Sequence, residues 1–225
     1  MPGARRAPKP QPCRTPRPRW RGYLSTGVGD EYIRLIFPAD GATEPILPRV
    51  ADDALDYGSI DLDLLRTYTV RRFGAAHDRL TVDFVVHGHG VATTWARTAR
   101  PGQPVGLNSP TGLYAPPDGL EWQILAADLA GLPALARLLE QTPDGVQTRV
   151  VVEVPGPDDQ IELPRRARTT VTCVHGGNGH GASRLDEIVR KLHLPDGVGY
   201  VWVAGETAAL RAVRRYLRHE PRLPS

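Results

Sequence analysis

Cysteine and long apolar runs are both scarce in this chain of 225 residues. The only two cysteines, Cys13 and Cys173, lie far apart, so they provide neither a disulfide framework nor a metal-binding cysteine pair. No apolar run approaches the roughly 18 residues of a membrane-spanning helix, and the first residues lack the apolar core of a secretory signal. We therefore expect a cytoplasmic protein with no membrane partner.

Acidic residues are absent before Asp30, whereas seven basic residues are interspersed with prolines in the same stretch: Arg5, Arg6, Lys9, Arg14, Arg17, Arg19 and Arg21. Such a composition cannot bury a core, and we expect residues 1–21 to form a disordered tail. The whole chain has 28 basic and 25 acidic residues, so the remainder is mildly acidic. Because a nucleic-acid-binding body normally shows a basic stripe, we expect no nucleic-acid partner.

Alternation of apolar and polar residues predicts a β-rich first half. We expect strands over Glu31–Phe37, Arg66–Phe73, Arg79–His87 and Gln103–Ser109, a hairpin turn at 74–78, a polar loop over 39–63 and a helix over Val91–Ala99.

The second half changes period. We expect strands over Trp122–Ala127, Thr148–Val154, Thr169–Val174 and Gly199–Ala204, alternating with helices that contain Leu132–Leu139, Arg184–Leu192 and Thr207–His219. This alternation predicts a doubly wound parallel sheet, which binds ligands beyond the carboxyl ends of its strands. We place the two domains at 22–117 and 118–220.

The predicted strand that contains Arg66 to Arg71 has the main candidate binding residues. On a strand, Arg66 and Tyr68 share one face, which offers a guanidinium fork for phosphate beside an aromatic plane for a flat ring, and the Thr69 hydroxyl is small enough to reach a ring nitrogen. The combination suits a flavin nucleotide. The alternative is an ordinary half-exposed antiparallel strand.

Two further segments suit the rest of such a ligand. Gly90 to Thr93 opens the predicted helix, where unpaired backbone N–H groups and the hydroxyls of Thr93 and Thr94 could hold a diphosphate; the alternative is a simple helix cap. Gly205 and Glu206 follow the last strand at the expected ligand crevice, where Gly205 lets a nicotinamide or ribose approach the backbone; the alternative is a tight turn without a ligand.

The remaining glycines and histidines favour structural roles. The segment 176–181 lacks the spacing of a phosphate-binding loop and is interpreted as a flexible surface loop. The pairs His87 with His89 and His175 with His180 have no further ligand at a suitable spacing, so we expect no metal site.

Four ordered motifs carry a resemblance to a known family: Arg66-x-Tyr68-Thr69-x-Arg71, Asp83-Phe84-Val85-Val86-His87-Gly88, Gly90-x-Ala92-Thr93-x-Trp95 and Trp202-Val203-Ala204-Gly205-Glu206. In this order they resemble the siderophore-interacting protein family of ferric-siderophore reductases, a branch of the ferredoxin-reductase-like flavoproteins. The resemblance runs from about Asp30 to His219.

The resemblance implies an antiparallel flavin-binding β-barrel followed by a nicotinamide-binding α/β domain in a monomer. It implies that FAD is held by the residues that match the motifs: Arg66, Tyr68, Thr69, Arg71, His87, Ala92 and Thr93. It also implies that NADH or NADPH reduces FAD, which passes electrons to a ferric siderophore and releases Fe(II) for iron acquisition.

Three departures from the family pattern keep alternatives open. One is that the family's aromatic and basic C-terminal segment, commonly G-Y-W-R-x-G, does not follow Glu220 in this sequence. The family begins with extra barrel strands where this chain has its Pro/Arg tail, so one alternative is that the barrel is incomplete. Where the family reads G-D-E-T-A-L-P-A, this chain reads Ala127-Asp128-Leu129-Ala130-Gly131-Leu132-Pro133-Ala134. The chain thus keeps Asp128 but loses other polar groups that would lie near the nicotinamide. The alternatives are another ferredoxin-reductase-like electron transferase and a non-catalytic remnant that binds flavin or a siderophore.

Overall fold

The structure is a computed structural model that describes residues 23–51, 54–74, 76, 79–86, 88, 90–178 and 180–219. The chain divides into two compact units, one ending at Leu113 and the other beginning at Tyr114. No helix within the described ranges combines the length and the apolarity needed to cross a lipid bilayer.

The first unit is built from short antiparallel strands and one helix. Its elements are β1 (Tyr32–Ile36), β2 (Arg49–Ala51), β3 (Ala54–Asp56), β4 (Leu65–Thr69), β5 (Arg72–Gly74), β6 (Arg79–Thr81), α1 (Val91–Thr98) and β7 (Gly106–Leu107). Strand β1 lies between β4 and β7, while β2 pairs with β3 and β5 pairs with β6. Among the described residues these ladders do not close into a barrel.

The predicted strand over Arg66–Phe73 is wrong as a single strand, because the backbone changes partners at Val70 and Arg71. The Val70 N–H donates to Glu31 O (2.8 Å), whereas the next N–H, of Arg71, donates to Thr81 O (2.9 Å). The chain therefore leaves the β1 ladder and enters the β5–β6 hairpin within one residue. The hairpin itself was predicted, but its second strand is shorter than Arg79–His87.

The predicted polar loop over 39–63 is also partly wrong, because it contains β2, β3 and the beginning of a 3₁₀ turn over Leu62–Leu64. The Asp61 side chain accepts the Asp63 N–H (2.9 Å), which starts this turn directly before β4.

A buried carboxylate fixes the segment that leads into β1. Glu31 has no exposed surface, and it accepts hydrogen bonds from the Tyr23 hydroxyl (2.7 Å), the Ser25 hydroxyl (2.8 Å), and both the hydroxyl (2.6 Å) and the N–H of Thr26. Burial alone would raise the pKa of Glu31, but these donors outweigh it and hold the pKa below its ordinary value. The ionised form of Glu31 is thus the one that the fold stabilises.

The second unit matches the predicted alternation. Its elements are β8 (Trp122–Ala127), α2 (Leu132–Gln141), β9 (Gln147–Val154), β10 (Thr169–His175), α3 (Leu185–Lys191), β11 (Gly199–Ala204) and α4 (Thr207–His219). The strands form a parallel sheet in the order β10-β9-β8-β11. Because β9 and β11 flank β8 on opposite sides, the strand order reverses beside β8, and the carboxyl ends of β8 and β11 define a switch point of the kind that binds ligands.

The two faces of this sheet are covered by different helices. Leu125, Val150 and Val152 pack with α2 in one core, whereas Ala126 and Val151 pack with α3 and α4 in another. Alternating side chains of buried parallel strands account for this division.

The connection from β9 to β10 contains no α-helix, only a 3₁₀ turn over Pro157–Asp159. Strand β10 lies at the edge of the described sheet, and its Val171 is 52% exposed. One stretch of the sheet is thus left without helical cover.

Substitution Glu31→Gln is expected to destabilise the protein by roughly 2 kcal/mol at neutral pH, because an amide cannot replace an anion that accepts several hydrogen bonds. A lowered carboxyl pKa contributes stability above its unfolded value of 4.5, and this contribution is lost as the pH falls through the folded pKa. Denaturant unfolding at neutral and acidic pH measures the difference.

The matched control is Glu44→Gln, since Glu44 is exposed and without a partner among the described residues. The two pH values are 3 and 7, about 1.5 units below and 2.5 units above the unfolded pKa. If Glu31→Gln lowered the free energy of unfolding equally at both, Glu31 would not be a stabilising carboxylate.

Candidate functional site

Strand β4 presents a cation and an aromatic ring on one side. Arg66 is exposed and Tyr68, two residues later, is half-buried. The Arg66 Nη1 donates to the carbonyls of Leu65 (2.8 Å) and Leu62 (3.4 Å), while its Nε and Nη2 have no acceptor among the described residues. One edge of the guanidinium is therefore anchored and the rest is available to an anion.

The ring of Tyr68 is oriented by the core of the first unit. Its centroid lies 4.5 Å from that of Phe84, which is buried. Burial raises the pKa of the Tyr68 hydroxyl, and the charge of Arg66 acts in the opposite direction. Arg66 and Tyr68 are two residues apart on β4, so both side chains lie on one face of the strand.

Aromatic contacts bring α1 to the same region. The Trp95 ring on α1 lies 6.0 Å from Phe84 and 5.4 Å from Phe37, and α1 also packs against the turn Leu62–Leu64 that precedes β4. Helix α1, whose first turn is the predicted diphosphate site, therefore packs against the turn that leads into β4.

The first turn of α1 has the composition of an anion site. Its N–H groups at Val91 and Ala92 precede the first intrahelical bond, in which Thr94 N–H donates to Gly90 O (2.9 Å). Gly90 and Thr94 are exposed, whereas Ala92 and Thr93 are buried.

The other predicted flavin residues lie in different settings. Thr69 is half-buried at the end of β4. Arg71 forms an ion pair with Asp83 (4.0 Å). Burial raises the pKa of Asp83 above its ordinary value, and the charges of Arg71 and Arg72 offset only part of this increase. His87 lies outside the described residues.

In the second unit, Asp128 links the two turns at the switch point. It is 4% exposed, and its Oδ1 accepts the N–H groups of Ala130 (2.9 Å) and Gly131 (3.2 Å), while the carboxylate also accepts the N–H of Glu206. Burial raises the pKa of Asp128, the backbone donors lower it, and the neighbouring Glu153 raises it further. Asp128 therefore acts on the backbone of both turns.

Gly205 is the close neighbour of this carboxylate. A Cβ added to Gly205 would lie 2.8 Å from Asp128 Oδ2 and 3.2 Å from Leu185 Cδ1. The missing side chain of Gly205 thus faces protein atoms, and Glu206 beside it is exposed.

Two residues of the glycine-rich segment 176–181, Gly177 and Asn178, contact the sheet, whereas His180 and Gly181 are exposed. Gly177 is buried, and Asn178 accepts the N–H of Leu129 after β8 and donates to the Glu153 carbonyl in β9. Glu153, at 0% exposure, accepts the Arg184 N–H (2.6 Å) through Oε1, whereas Oε2 has no partner among the described residues. Neither Asn178 nor Glu153 was a candidate from the sequence.

Within the described part of the chain, no group of three or more His, Cys, Asp or Glu side chains is arranged to hold a metal ion.

The fold is shared with the ferredoxin-reductase-like flavoproteins. A ferredoxin NADP+ reductase from Neisseria gonorrhoeae with bound FAD and NADP superposes with a TM-score of 0.57 at 15% identity, covering 89% of this chain and 86% of that one. At this identity the likeness concerns the fold.

The chain belongs to the siderophore-interacting protein family. Residues 17–114 match the siderophore-interacting FAD-binding domain, and residues 120–225 match the siderophore-interacting protein domain. A siderophore utilization protein from T. fusca has a similar crystal structure, with a TM-score of 0.77 and 32% identity over 90% of this chain and 78% of that one. The resemblance stated from the four motifs is thereby confirmed.

Two curated relatives have names that describe an activity. The ferric vibriobactin reductase ViuB of Vibrio cholerae is 31% identical over 161 residues, which are 70% of this chain and 59% of ViuB. The NADPH-dependent ferric-chelate reductase of Escherichia coli is 26% identical over 204 residues, which are 88% of this chain and 77% of that protein.

Substitution Arg66→Ala is expected to weaken FAD binding by roughly 10- to 100-fold, the effect of losing one or two charge-assisted hydrogen bonds. Fluorescence quenching of FAD on titration with the protein measures the affinity. Arg34→Ala is the matched control, because Arg34 is exposed on the adjacent strand β1. Equal affinities for both variants would exclude Arg66 from the flavin site.

Substitution Gly205→Ala is expected to lower the stability of the second unit by about 1–3 kcal/mol, because the new methyl group must displace Asp128 or Leu185. Thermal unfolding followed by calorimetry measures this loss. Gly145→Ala is the control, since nothing lies within 4 Å of its added Cβ. If both variants melted like the wild type, the close contact at Gly205 would be disproved.

Proposed function

We propose that this protein is a flavin-dependent reductase that takes electrons from NADH or NADPH and reduces a ferric siderophore, releasing Fe(II). The observation that carries the proposal is the arrangement of β4 and α1: β4 has an available guanidinium edge and a ring packed on Phe84, and α1 packs against the turn that precedes β4, in the unit whose sequence matches an FAD-binding domain.

These residues fit FAD chemically. The guanidinium of Arg66 and the N–H groups at the start of α1 suit a diphosphate, and the Tyr68 ring and the Thr69 hydroxyl suit a flat heterocycle with polar edges. FAD supplies the coupling between a two-electron donor and a one-electron acceptor. The protein's own residues bind and orient; no side chain is assigned a proton-transfer role.

The carboxyl edge of the parallel sheet is the proposed place of the pyridine nucleotide, since ligands of such sheets bind at the switch point. Asp128 supports this role by holding the β8–α2 and β11–α4 turns together. Asp128, Gly205 and Glu206 are thus proposed to shape the nicotinamide site, Asp128 from beneath the surface and Glu206 from its exposed position.

Iron release follows from the change of oxidation state. Hard oxygen donors hold Fe(III) tightly, whereas the lower charge of Fe(II) holds them less well, so other ligands can take the metal. The names of ViuB and the ferric-chelate reductase support a ferric chelate as acceptor.

When NADH or NADPH is added anaerobically to purified protein saturated with FAD, the visible absorbance of the flavin is expected to fall. Adding a ferric siderophore is expected to restore this absorbance, and an Fe(II) chelator in the solution is expected to form its coloured complex. Absorbance spectroscopy follows all three changes. A protein that takes up no FAD in excess is not a flavoenzyme, and one that takes up FAD without bleaching by either nucleotide requires a different electron donor.

A second candidate is a binding protein that retains flavin without turnover. The segment Leu129 to Gly131, where the family has Glu, Thr and Ala, favours this candidate because it lacks polar side chains near the nucleotide. Turnover of a ferric siderophore with either nucleotide excludes it.

A further inference from the structure

The carboxyl edge of the parallel sheet contains a side chain whose hydrogen bonds reach three different strand ends. Asn178 accepts the Leu129 N–H through Oδ1 (2.9 Å) and donates through Nδ2 to the carbonyls of Glu153 (3.2 Å) and Gly176 (3.1 Å). Leu129 follows β8, Glu153 lies in β9, and Gly176 follows β10. One amide therefore cross-links β9 to the segments that follow the two neighbouring strands, β8 and β10.

The backbone at Asn178 is specialised for this position. Its φ of +53° is the only positive value at a non-glycine residue in the described part of the chain. Asparagine tolerates the left-handed region better than other side chains of its size, and it brings the donor and acceptor that the cross-link needs. Glycine would satisfy the backbone but not the hydrogen bonds.

The cross-link determines the turn between β8 and α2. Three successive N–H groups of this turn are engaged by side chains: that of Leu129 by Asn178, and those of Ala130 and Gly131 by Asp128. Asn178 and Asp128 accept different N–H groups, so each side chain fixes its own part of the turn. Without Asn178, the first part of the turn loses its acceptor.

Close packing beneath the neighbouring Gly177 restricts the backbone of this segment. Beneath the segment, a Cβ on Gly177 would overlap Glu153 Oε2, the buried oxygen without a partner among the described residues. The segment therefore rests directly on a buried carboxylate, and a displacement of Gly177 or Asn178 would change the environment of Glu153 and of Asp128 beside it.

We propose that Asn178 is a positioning residue for pyridine-nucleotide binding: it holds the β8–α2 turn in the conformation that receives the nicotinamide end. The inference rests on the proposed function of this edge and adds to it a residue outside the four family motifs. Asn178 acts through the turn and need not touch the nucleotide.

Variant Asn178→Gly tests the side chain while keeping the backbone permissive. Its dissociation constant for NADPH or NADP+, measured by calorimetry on the FAD-loaded protein, is expected to rise by about tenfold, as for a loss of one or two net hydrogen bonds. Hydrogen exchange at the Leu129 amide is expected to accelerate, and FAD affinity to stay at the wild-type value. His180→Ala is the control in the same segment, since its exposed side chain makes no hydrogen bond among the described residues.

Variant Asn178→Asp separates the acceptor from the donor. The carboxylate can still accept the Leu129 N–H, but it repels the two carbonyls and an anionic nucleotide. Its affinity is therefore expected to be low at low salt and to exceed that of Asn178→Gly at high salt, where repulsion is screened.

The outcomes are distinguishable. Faster exchange at Leu129 with unchanged nucleotide affinity in Asn178→Gly would overturn the positioning role while leaving the proposed function intact. Unchanged exchange at Leu129 would disprove the cross-link itself. A wild-type protein that binds neither nucleotide would overturn both the inference and the pyridine-nucleotide part of the proposed function.

Discussion

The buried carboxylate of Asp128 is the constraint that shapes the switch point of the second unit. It is buried, so its charge must be compensated by hydrogen-bond donors, and the donors it uses belong to the turns after both β8 and β11. Satisfying one buried anion therefore determines the shape of the two turns at the switch point. The glycine at 205 follows from the same requirement, since any side chain there would compete for the space of the carboxylate.

The first unit solves a different problem with aromatic packing. Strand β4 has an exposed guanidinium and a half-buried ring, and the rings of Phe84, Trp95 and Phe37 pack in the core beside it. They also join β4 to α1, two elements about 25 residues apart in sequence. In both halves of the chain, the polar groups of the candidate sites thus lie beside a well-packed core.

Clear periodicity made much of this fold predictable: β8, β11 and α4 have the predicted ends, because their apolar patterns are uninterrupted. The strand containing Arg66 was predicted too long, since the switch of backbone partners at Val70 depends on Glu31 and Thr81 and leaves no local signal. Asn178 was missed for the same reason: its partners lie 49 and 25 residues away. Local pattern identifies elements and motif residues, whereas contacts between distant loops require coordinates.

The helix-free connection before β10 has a consequence for the behaviour of the second unit. An outer strand with exposed β-branched residues offers a row of backbone groups to which an extended segment of another molecule can add, the process that seeds intermolecular β-structure. Threonines at 170 and 172 and the histidine at 175 make this rim polar, which disfavours such addition by keeping the rim hydrated. Replacing these threonines by valine would make the exposed edge apolar and favour intermolecular strand pairing at β10.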